Sequence, residues 1–402
     1  MAKVFVFILL FNQFFFPDSA ATSQFLNDVA ATLAAEGHQV KVICAKGGYA
    51  KANVGDVPGV AVVRTRALPF GHGAPARVLS YISYLCGAIW FGLRGERPDV
   101  VLSLTTPPLL SLVAWLVTAL RGGRYFIWEM DLYPDIAIDL GVLRADSWFT
   151  RTLGWALDRV RRRAAGVIVV GESMRERLLR RGIPSDRIHV AENWADSNDI
   201  QPRRFPPNDT LTVLYSGNLG LAHDVATLCG ALQALAADAR FRFIFAGGGP
   251  RREALEQFCA QRQVRNAEFR GYSQRHELTD SLAACHVGLV TQKPETVGAV
   301  VPSKLYGLMA AGRPILYVGP ATGTPARLIR QFACGWRVEP GDVEGLVAIL
   351  GWLSEHPDEI QDAGQRAYAA FEAHYDRPAG VQRIGRIIGV NLHSSVAVSL
   401  QS

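Results

Sequence analysis

The sequence predicts an α/β protein of two domains, each built on a parallel sheet with helices on both faces. Apolar strand-like runs alternate with amphipathic helical segments through both halves of the chain. A polar, proline-bearing stretch at residues 193–208 interrupts the alternation near the middle and is interpreted as a linker. With 402 residues, of which 49% are hydrophobic and 19% charged, the chain can bury two substantial cores.

In the first half, short apolar runs bounded by polar or glycine-containing turns predict strands at 3–10, 39–45, 99–104, 124–129 and 166–171. Apolar residues at helical spacing predict helices at 23–37 and 172–181. The opening run resembles a secretory signal, but Asn12 and Gln13 interrupt its apolar stretch. We therefore interpret it as a buried first strand.

Two segments, 79–93 and 109–120, are strongly apolar but shorter than a membrane span. They are predicted to be helices, either buried against the sheet or lying on a bilayer surface beside Arg77, Arg94 and Arg97. No transmembrane helix is predicted. The protein is expected to be cytoplasmic, with a peripheral contact to the inner face of the cytoplasmic membrane under the second alternative.

In the second half, the alternation restarts with strands predicted at 211–216, 241–246, 267–270, 287–291, 315–318 and 335–338. A final helix, at about 378–390, is predicted to pack back on the first domain. The predicted domains are therefore residues 1–197 and 198–377, followed by a C-terminal helix and tail at 378–402. Open parallel sheets bind ligands at the carboxyl ends of their strands, so the predicted site is the cleft that two facing sheets would form.

The composition excludes several classes of protein. The net charge of +6 suits an acidic ligand or an anionic membrane, but no long basic run is interleaved with aromatic residues, which argues against nucleic acid. The six cysteines include no CxxC pair and are interpreted as reduced, buried thiols. No His/Cys group has metal-ligand spacing, so no metal site is predicted.

Three turns in the second half each lie between a strand and a helix and can direct backbone N–H groups toward an anion. Ser303 is predicted to cap a helix that begins at Lys304, a position that favours phosphate. Each turn alone is explained by ordinary turn chemistry, whereas three on one sheet edge favour a nucleotide diphosphate. The candidate donor-binding residues in these turns are Gly217, Asn218, His223, Gly247, Gly248, Gly249, Arg251, Ser303 and Lys304.

Three carboxylates of the first half are candidates for acid–base chemistry. Glu129 and Asp131 follow a predicted strand, and their spacing of two places them on one face. Either could accept the proton of a hydroxyl or stabilise an oxocarbenium-like transition state. Asp18, after the first strand, is the third candidate. The structural alternatives are that Asp131 caps the next turn and that Asp18 caps the following helix.

Through most of its length the chain resembles the family-4 glycosyltransferases, which have two Rossmann-like domains facing a cleft, the GT-B fold. The resemblance is strongest to bacterial enzymes that build O-antigen, capsule or colanic-acid-type exopolysaccharides. In order and spacing the matching segments are specific for the superfamily and less so for the sugar. They are FFPD at 15–18, EGHQV at 36–40, WEMDLYPD at 128–135, NWAD at 193–196, YSGN at 215–218, AGGGP at 246–250 and PSK at 302–304.

This resemblance implies a retaining transferase of the hexosyl or N-acetylhexosaminyl type. The C-terminal domain would bind the nucleotide-sugar donor, with Asn193 also facing it, and the N-terminal domain would bind a glycan acceptor. An undecaprenyl-diphosphate-linked acceptor would suit a peripheral membrane contact. No cofactor is expected, because the nucleotide-sugar is a substrate.

The sequence departs from the family at four positions. Asn218 and His223 stand where the family usually has an arginine and a lysine, and Ala299 and Gly307 replace its two glutamates. We hypothesise that Lys304 supplies the missing positive charge, and that Glu295 replaces the carboxylate that grips the ribose. The alternatives are a nucleotide-sugar epimerase of the same architecture, which needs no acceptor, and a non-catalytic partner protein that keeps the fold.

Overall fold

The computed structural model describes residues 5–18, 20–46, 56–68, 74–207, 209–390 and 392. The chain divides into two compact units, one formed by Met1–Glu192 with Pro378–Ser402 and the other by Asn193–Arg377. Residues 193–197 belong to the second unit because Ala195 N–H donates to Tyr375 O over 3.1 Å, and the Ser197 hydroxyl donates to Asp376 over 2.9 Å.

The first unit contains a seven-stranded sheet, entirely parallel, in the order β3-β2-β1-β4-β5-β6-β7. Its strands are β1 Phe7–Phe11, β2 Gln39–Ala45, β3 Val60–Thr65, β4 Val100–Ser103, β5 Arg124–Glu129, β6 Gly166–Val169 and β7 Ile188–Val190. The central strands β1 and β4 are almost wholly buried, as continuous apolar runs in a doubly covered sheet require. The helices of this unit are α1 Ala21–Ala35, α2 Ala74–Gly92, α3 Leu110–Arg121, α4 Asp135–Asp139, α5 Trp148–Arg163 and α6 Glu172–Arg180.

The second unit contains a six-stranded parallel sheet in the order β10-β9-β8-β11-β12-β13. Its strands are β8 Leu211–Ser216, β9 Phe241–Ala246, β10 Ala267–Arg270, β11 Val287–Thr291, β12 Ile315–Val318 and β13 Gly335–Val338. All six were predicted, with these bounds. The helices are α7 Ala226–Ala234, α8 Pro250–Gln261, α9 Leu278–Ala283, α10 Lys304–Ala310, α11 Thr324–Phe332, α12 Val343–Glu355 and α13 Pro357–His374.

The second sheet has an apolar core on each face, because alternate residues of a strand point to opposite sides. In β12, Ile315 and Tyr317 join the core that contains α10 and α11, whereas Leu316 and Val318 join the core that contains α7 and α12.

The last helix, α14, spans Arg377–Ile388, and the chain from Pro378 onward belongs to the first unit. Arg124 Nη2 of β5 donates to the carbonyl of Ile388 over 3.3 Å. The predicted return of the C-terminal helix to the first domain is therefore confirmed. Among the residues described, no helix combines the length and the apolar character needed to cross a membrane.

Candidate functional site

Two glycine turns of the second unit lie side by side because they follow β8 and β9, which are neighbouring parallel strands. Leu219 N–H in the first turn donates to Gly248 O in the second over 2.7 Å. In return, Arg251 N–H donates to Leu219 O over 3.0 Å. The two predicted donor-binding turns are therefore one hydrogen-bonded element.

Two glycines make this close approach feasible. Gly247 has φ of 125°, and a Cβ built there would lie 2.2 Å from Gly217 O. Gly249 has φ of 113°, and its Cβ would lie 2.3 Å from Asn218 Oδ1. Both backbone conformations are ones that only glycine adopts freely, and both contacts exclude any side chain. These positions are fixed by backbone geometry and cannot vary without displacing the turns.

We expect Gly247→Ala to destabilise the second unit by about 1–3 kcal/mol, because the new methyl group strains the backbone and meets Gly217 O. It should also weaken nucleotide binding by separating the two turns. Chemical denaturation and calorimetric titration with UDP measure the two effects. The matched control is Gly271→Ala, because nothing lies within 4 Å of the Cβ position of Gly271. Equal stability of the two variants would contradict the expected strain.

Lys304, the first residue of α10, carries a buried ammonium group beside the first turn. Its Nζ has no hydrogen-bond partner among the described residues, and it lies 3.5 Å from the centroid of the Tyr215 ring. It is also 3.9 Å from the position a Cβ of Gly217 would occupy. Burial holds the pKa of Lys304 well below its usual value. An unpaired buried cation is costly, and an anion bound at this point would relieve that cost.

His223 is neutral here and cannot replace the cation that the family usually has at this position. Its Nδ1 lies 2.8 Å from the carbonyl oxygen of Thr291, which can only accept, so Nδ1 carries the proton. Burial, followed by the charge of Lys304, lowers the pKa of His223 to about 3. Lys304 is therefore the cation of this part of the site.

The prediction that Ser303 caps α10 is wrong. Ser303 precedes the helix with φ of −77° and ψ of −18°, and its side chain makes no capping hydrogen bond. A capping side chain needs an extended backbone, and this helical conformation does not provide one. α10 spans only seven residues, so the charge of Lys304 contributes more to an anion site than the helix end does.

The other predicted donor-binding residues fall into two groups. Arg251 and Asn193 carry buried polar atoms, Nε and Oδ1, that have no partner among the described residues, so both remain able to bind a ligand. Asn218 and Glu295 are exposed, and Glu295 lies on a short 3-10 helix.

The two positions that lack the family's glutamates are packed without room for a solvated carboxylate. Ala299 is fully buried. At Gly307, a Cβ would lie 3.6 Å from Ile200 Cδ1 and 3.7 Å from Leu282 Cδ1, both members of an apolar core. A glutamate at 307 would direct its charge toward this core, so the departure from the family pattern agrees with the local packing.

Glu129, at the end of β5, belongs to a buried ion pair. Its Oε1 accepts from Arg161 Nε of α5 over 2.7 Å, and both side chains are at most 2% exposed. Arg161 Nη2 also donates to Tyr133 O over 2.7 Å. The pairing continues through arginines and aspartates of α4, α5, α6 and the residue after α6, which are Asp158, Arg181, Asp135, Arg177 and Asp139. This arrangement favours a structural role for Glu129 over the predicted acid–base role.

We expect Glu129→Gln to destabilise the protein by about 1.5–3 kcal/mol, because a charge-assisted buried hydrogen bond becomes a neutral one. Chemical denaturation followed by tryptophan fluorescence measures the change, since Trp128 adjoins the site. Asp146→Asn serves as the control, because its pair with Arg144 is exposed and should contribute nothing measurable. Indistinguishable stability of Glu129→Gln and the wild type would overturn the structural role.

Asp131, two residues further on, is in a different environment. Its side chain is half-buried and forms no hydrogen bond or ion pair with any described residue, while its N–H donates to Thr105 Oγ1 over 3.3 Å. Burial, followed by the charge of Glu129, raises its pKa to about 6. It does not cap α4, which has no side-chain cap. A carboxylate with a pKa this close to neutrality can serve as a general base.

Asp18 has a local structural role. Its Oδ1 accepts from Ala20 N–H over 2.9 Å, in the turn immediately before α1. This bond stabilises the entry to the helix without being the helix cap itself, because the cap residue is Ala20. The structural alternative for Asp18 is thereby favoured, and among the three predicted carboxylates Asp131 has the environment best suited to chemistry.

Comparison with family models matches both units. Residues 21–194 match the glycosyl transferase 4-like domain, and residues 196–370 match the glycosyl transferases group 1 domain. The two matches cover most of the chain.

The chain is also similar to individual proteins. The probable glycosyltransferase WbjE of Pseudomonas aeruginosa is 28% identical over 274 residues, covering 65% of this chain and 68% of its own length. The putative colanic acid biosynthesis glycosyl transferase WcaI of Escherichia coli K12 is 25% identical over 369 residues, covering 85% and 90%. A structure of Anabaena Alr3699/HepE in complex with UDP-glucose superposes with a TM-score of 0.71 at 15% identity, covering 95% and 98%.

Proposed function

Because the chain belongs to the group 1 glycosyltransferases and has their two Rossmann-like units of GT-B type, we propose that it transfers a sugar from a nucleotide-sugar to a glycan hydroxyl. The acceptor proposed is a lipid-linked intermediate of a bacterial surface polysaccharide. This choice is supported by the name of WcaI, a putative colanic acid transferase, together with the resemblance to O-antigen and capsule enzymes. We further propose retention of anomeric configuration, as is usual in the family.

The observation that carries this proposal is the unpaired ammonium of Lys304 beside the two glycine turns. A diphosphate would place negative charge beside a buried ammonium that has no counter-ion among the described residues. HepE, which shares this fold, is known in complex with UDP-glucose, and this supports a UDP-linked hexose or N-acetylhexosamine as the donor.

In the proposed reaction, the acceptor oxygen attacks the anomeric carbon on the face from which the donor phosphate leaves. The bond from that carbon to the phosphate oxygen breaks as the new bond forms, so the configuration is retained. Lys304 and Arg251 stabilise the negative charge that develops on the leaving nucleoside diphosphate. Asp131, a residue of the first unit, which is proposed to bind the acceptor, takes the proton of the attacking hydroxyl. The positive side chains supply the charge stabilisation, so no resident cofactor is proposed, and the nucleotide-sugar is consumed as a substrate.

Donor turnover by the purified full-length protein tests the proposal. A panel of UDP-, GDP- and dTDP-sugars is incubated with and without a bacterial membrane lipid extract, and released nucleotide is measured. We expect release that requires one donor together with the lipid, and NMR of the product then gives the anomeric configuration. Conversion of a donor without lipid would indicate an epimerase or hydrolase instead. Nucleotide binding without turnover on any donor would indicate a non-catalytic partner.

A further inference from the structure

Three helices of the first unit, α2, α3 and α5, form one layer. The connections β3-α2-β4, β4-α3-β5 and β5-α5-β6 all step in the same direction along the sheet. Right-handed crossovers therefore place the three helices on the same side of it. α3 packs against both α2 and α5. Their outward sides form one continuous surface, which we call the helical face.

Large apolar side chains are concentrated on the helical face. Of the 14 large hydrophobic side chains exposed in the described part of the chain, eight lie on these three helices. On α2, Val78, Ile82 and Trp90 are each more than half exposed and recur at multiples of four, so they form a stripe along one side. On α5, Trp148 and Trp155 are 78% and 60% exposed and seven residues apart, again on one side. Exposed apolar side chains in this number indicate a surface that binds a partner protein or a membrane.

The charge of this face has one sign. α2 and α3 contain no aspartate or glutamate, and the single carboxylate of α5, Asp158, is buried in ion pairs. The arginines lie among the exposed tryptophans. The guanidinium carbon of Arg94 lies 3.1 Å from the centroid of the Trp90 ring. The guanidinium carbon of Arg159 lies 5.6 Å from the centroid of the Trp155 ring. Exposed tryptophan interleaved with arginine on one face is typical of helices that lie in a membrane interface.

We propose that the helical face docks the first unit on an anionic phospholipid bilayer. Trp90, Trp148 and Trp155 enter the headgroup boundary, and the arginines contact lipid phosphates. Docking of this kind rests on the proposed use of a lipid-linked acceptor, although binding to lipid requires no turnover. The contact includes α5, which was not predicted from the sequence to contact a membrane. Cys86, expected to be buried, is exposed on the same side of α2.

A bilayer fits this face better than a second copy of the chain. Two-fold association would bring two carboxylate-free, arginine-bearing surfaces together, and like charges facing each other are unfavourable. An anionic leaflet instead offers negative charge over a wide area together with an apolar layer beneath it.

The test uses the full-length protein and vesicles of phosphatidylcholine, with and without phosphatidylglycerol. We expect sedimentation with the anionic vesicles only, weakened by salt, and quenching of tryptophan fluorescence by brominated acyl chains. Arg151→Ser with Arg159→Ser should lower partitioning about 25-fold, from about 5-fold per arginine. Trp148→Ser with Trp155→Ser should lower partitioning and remove most of the quenching.

The matched controls lie on the second unit. Arg265→Ser removes an exposed arginine and Trp352→Ser a partly exposed tryptophan, and both should leave vesicle binding unchanged. Equal partitioning of the wild type and the α5 variants would overturn the proposal. The proposal would also be overturned if light scattering showed that the wild type is a dimer and the α5 variants are monomers, while none of these proteins binds vesicles. UDP binding measured on the same variants keeps this result separate from the proposed transfer.

Discussion

Replacing Lys304 with methionine is expected to lower donor turnover about 10²–10³-fold and to stabilise the unliganded protein. The loss follows from removing a buried ammonium beside the first glycine turn, where the proposed leaving diphosphate would gain charge. The gain in stability follows because methionine fills a similar volume without burying an unpaired charge. A residue kept only for packing would not show opposite effects on stability and turnover.

The pH dependence of this effect has a definite sign. Burial depresses the pKa of Lys304 in the folded state, so over the range between that pKa and the usual 10.5 the unfolded chain binds more protons. The wild type therefore gains stability as the pH rises through this range, and Lys304→Met loses that gain. Near the depressed pKa of Lys304, binding of UDP should be accompanied by proton uptake, because the phosphates favour the charged ammonium.

Calorimetric titration with UDP in two buffers of different ionisation enthalpy measures both affinity and proton uptake, and thermal unfolding measures stability. Lys41→Met is the matched control, because Lys41 is a half-buried lysine of β2 in the other unit. Unchanged UDP affinity in Lys304→Met would remove the basis of the proposed donor site.

Local patterning accounts for what the sequence predicted well. Short apolar strands of four to six residues, bounded by glycine or polar turns, predicted the second sheet with its bounds. β3 and β7 were not predicted. β3 is a half-buried edge strand whose apolar residues are only partly covered, and β7 has three residues. Edge strands and very short strands have a weaker apolar signal than central ones.

Long-range pairing accounts for what the sequence could not supply. Glu129 and Asp131 were equivalent candidates, but Arg161 pairs with Glu129 from 32 residues away, while no described residue pairs with Asp131. No local pattern indicates that partner. Likewise, the contact of Lys304 with the Tyr215 ring joins residues from β8 and α10 that only the folded sheet edge brings together. The glycine turns were recognisable from residue type, whereas the backbone separation that requires glycine was not.

Asp131→Asn is expected to reduce turnover about 10²–10⁴-fold, the range for loss of a general base, with UDP affinity unchanged. Because a base must be ionised, wild-type turnover should fall as the pH drops through about 6, the raised pKa of Asp131. The variant should lose this limb. Steady-state turnover against pH, with UDP titration alongside, measures both. Asp56→Asn, which alters an exposed aspartate of the same unit, is the control and should match the wild type.

The stability of the same variant distinguishes a functional charge from a structural one. Between pH 3.8, the ordinary pKa of an aspartate, and about pH 6, the folded protein keeps a proton on Asp131 that the unfolded chain has lost. Ionised Asp131 therefore destabilises the fold at neutral pH. Asp131→Asn should therefore stabilise the protein at pH 7, with the gain disappearing below pH 3.8. Glu129→Gln should do the reverse and destabilise it, because Arg161 loses its charged partner.

Glu129→Gln should also move the acid limb of turnover to lower pH, since the charge of Glu129 helps to raise the pKa of Asp131. A limb that stays at its wild-type position in Glu129→Gln, or that persists in Asp131→Asn, would assign the titration to another group.

Lys304 and Asp131 share one property that separates them from the ion-paired network. Each is an ionisable group without a hydrogen-bond or ion-pair partner among the described residues, and burial shifts its pKa toward the uncharged form.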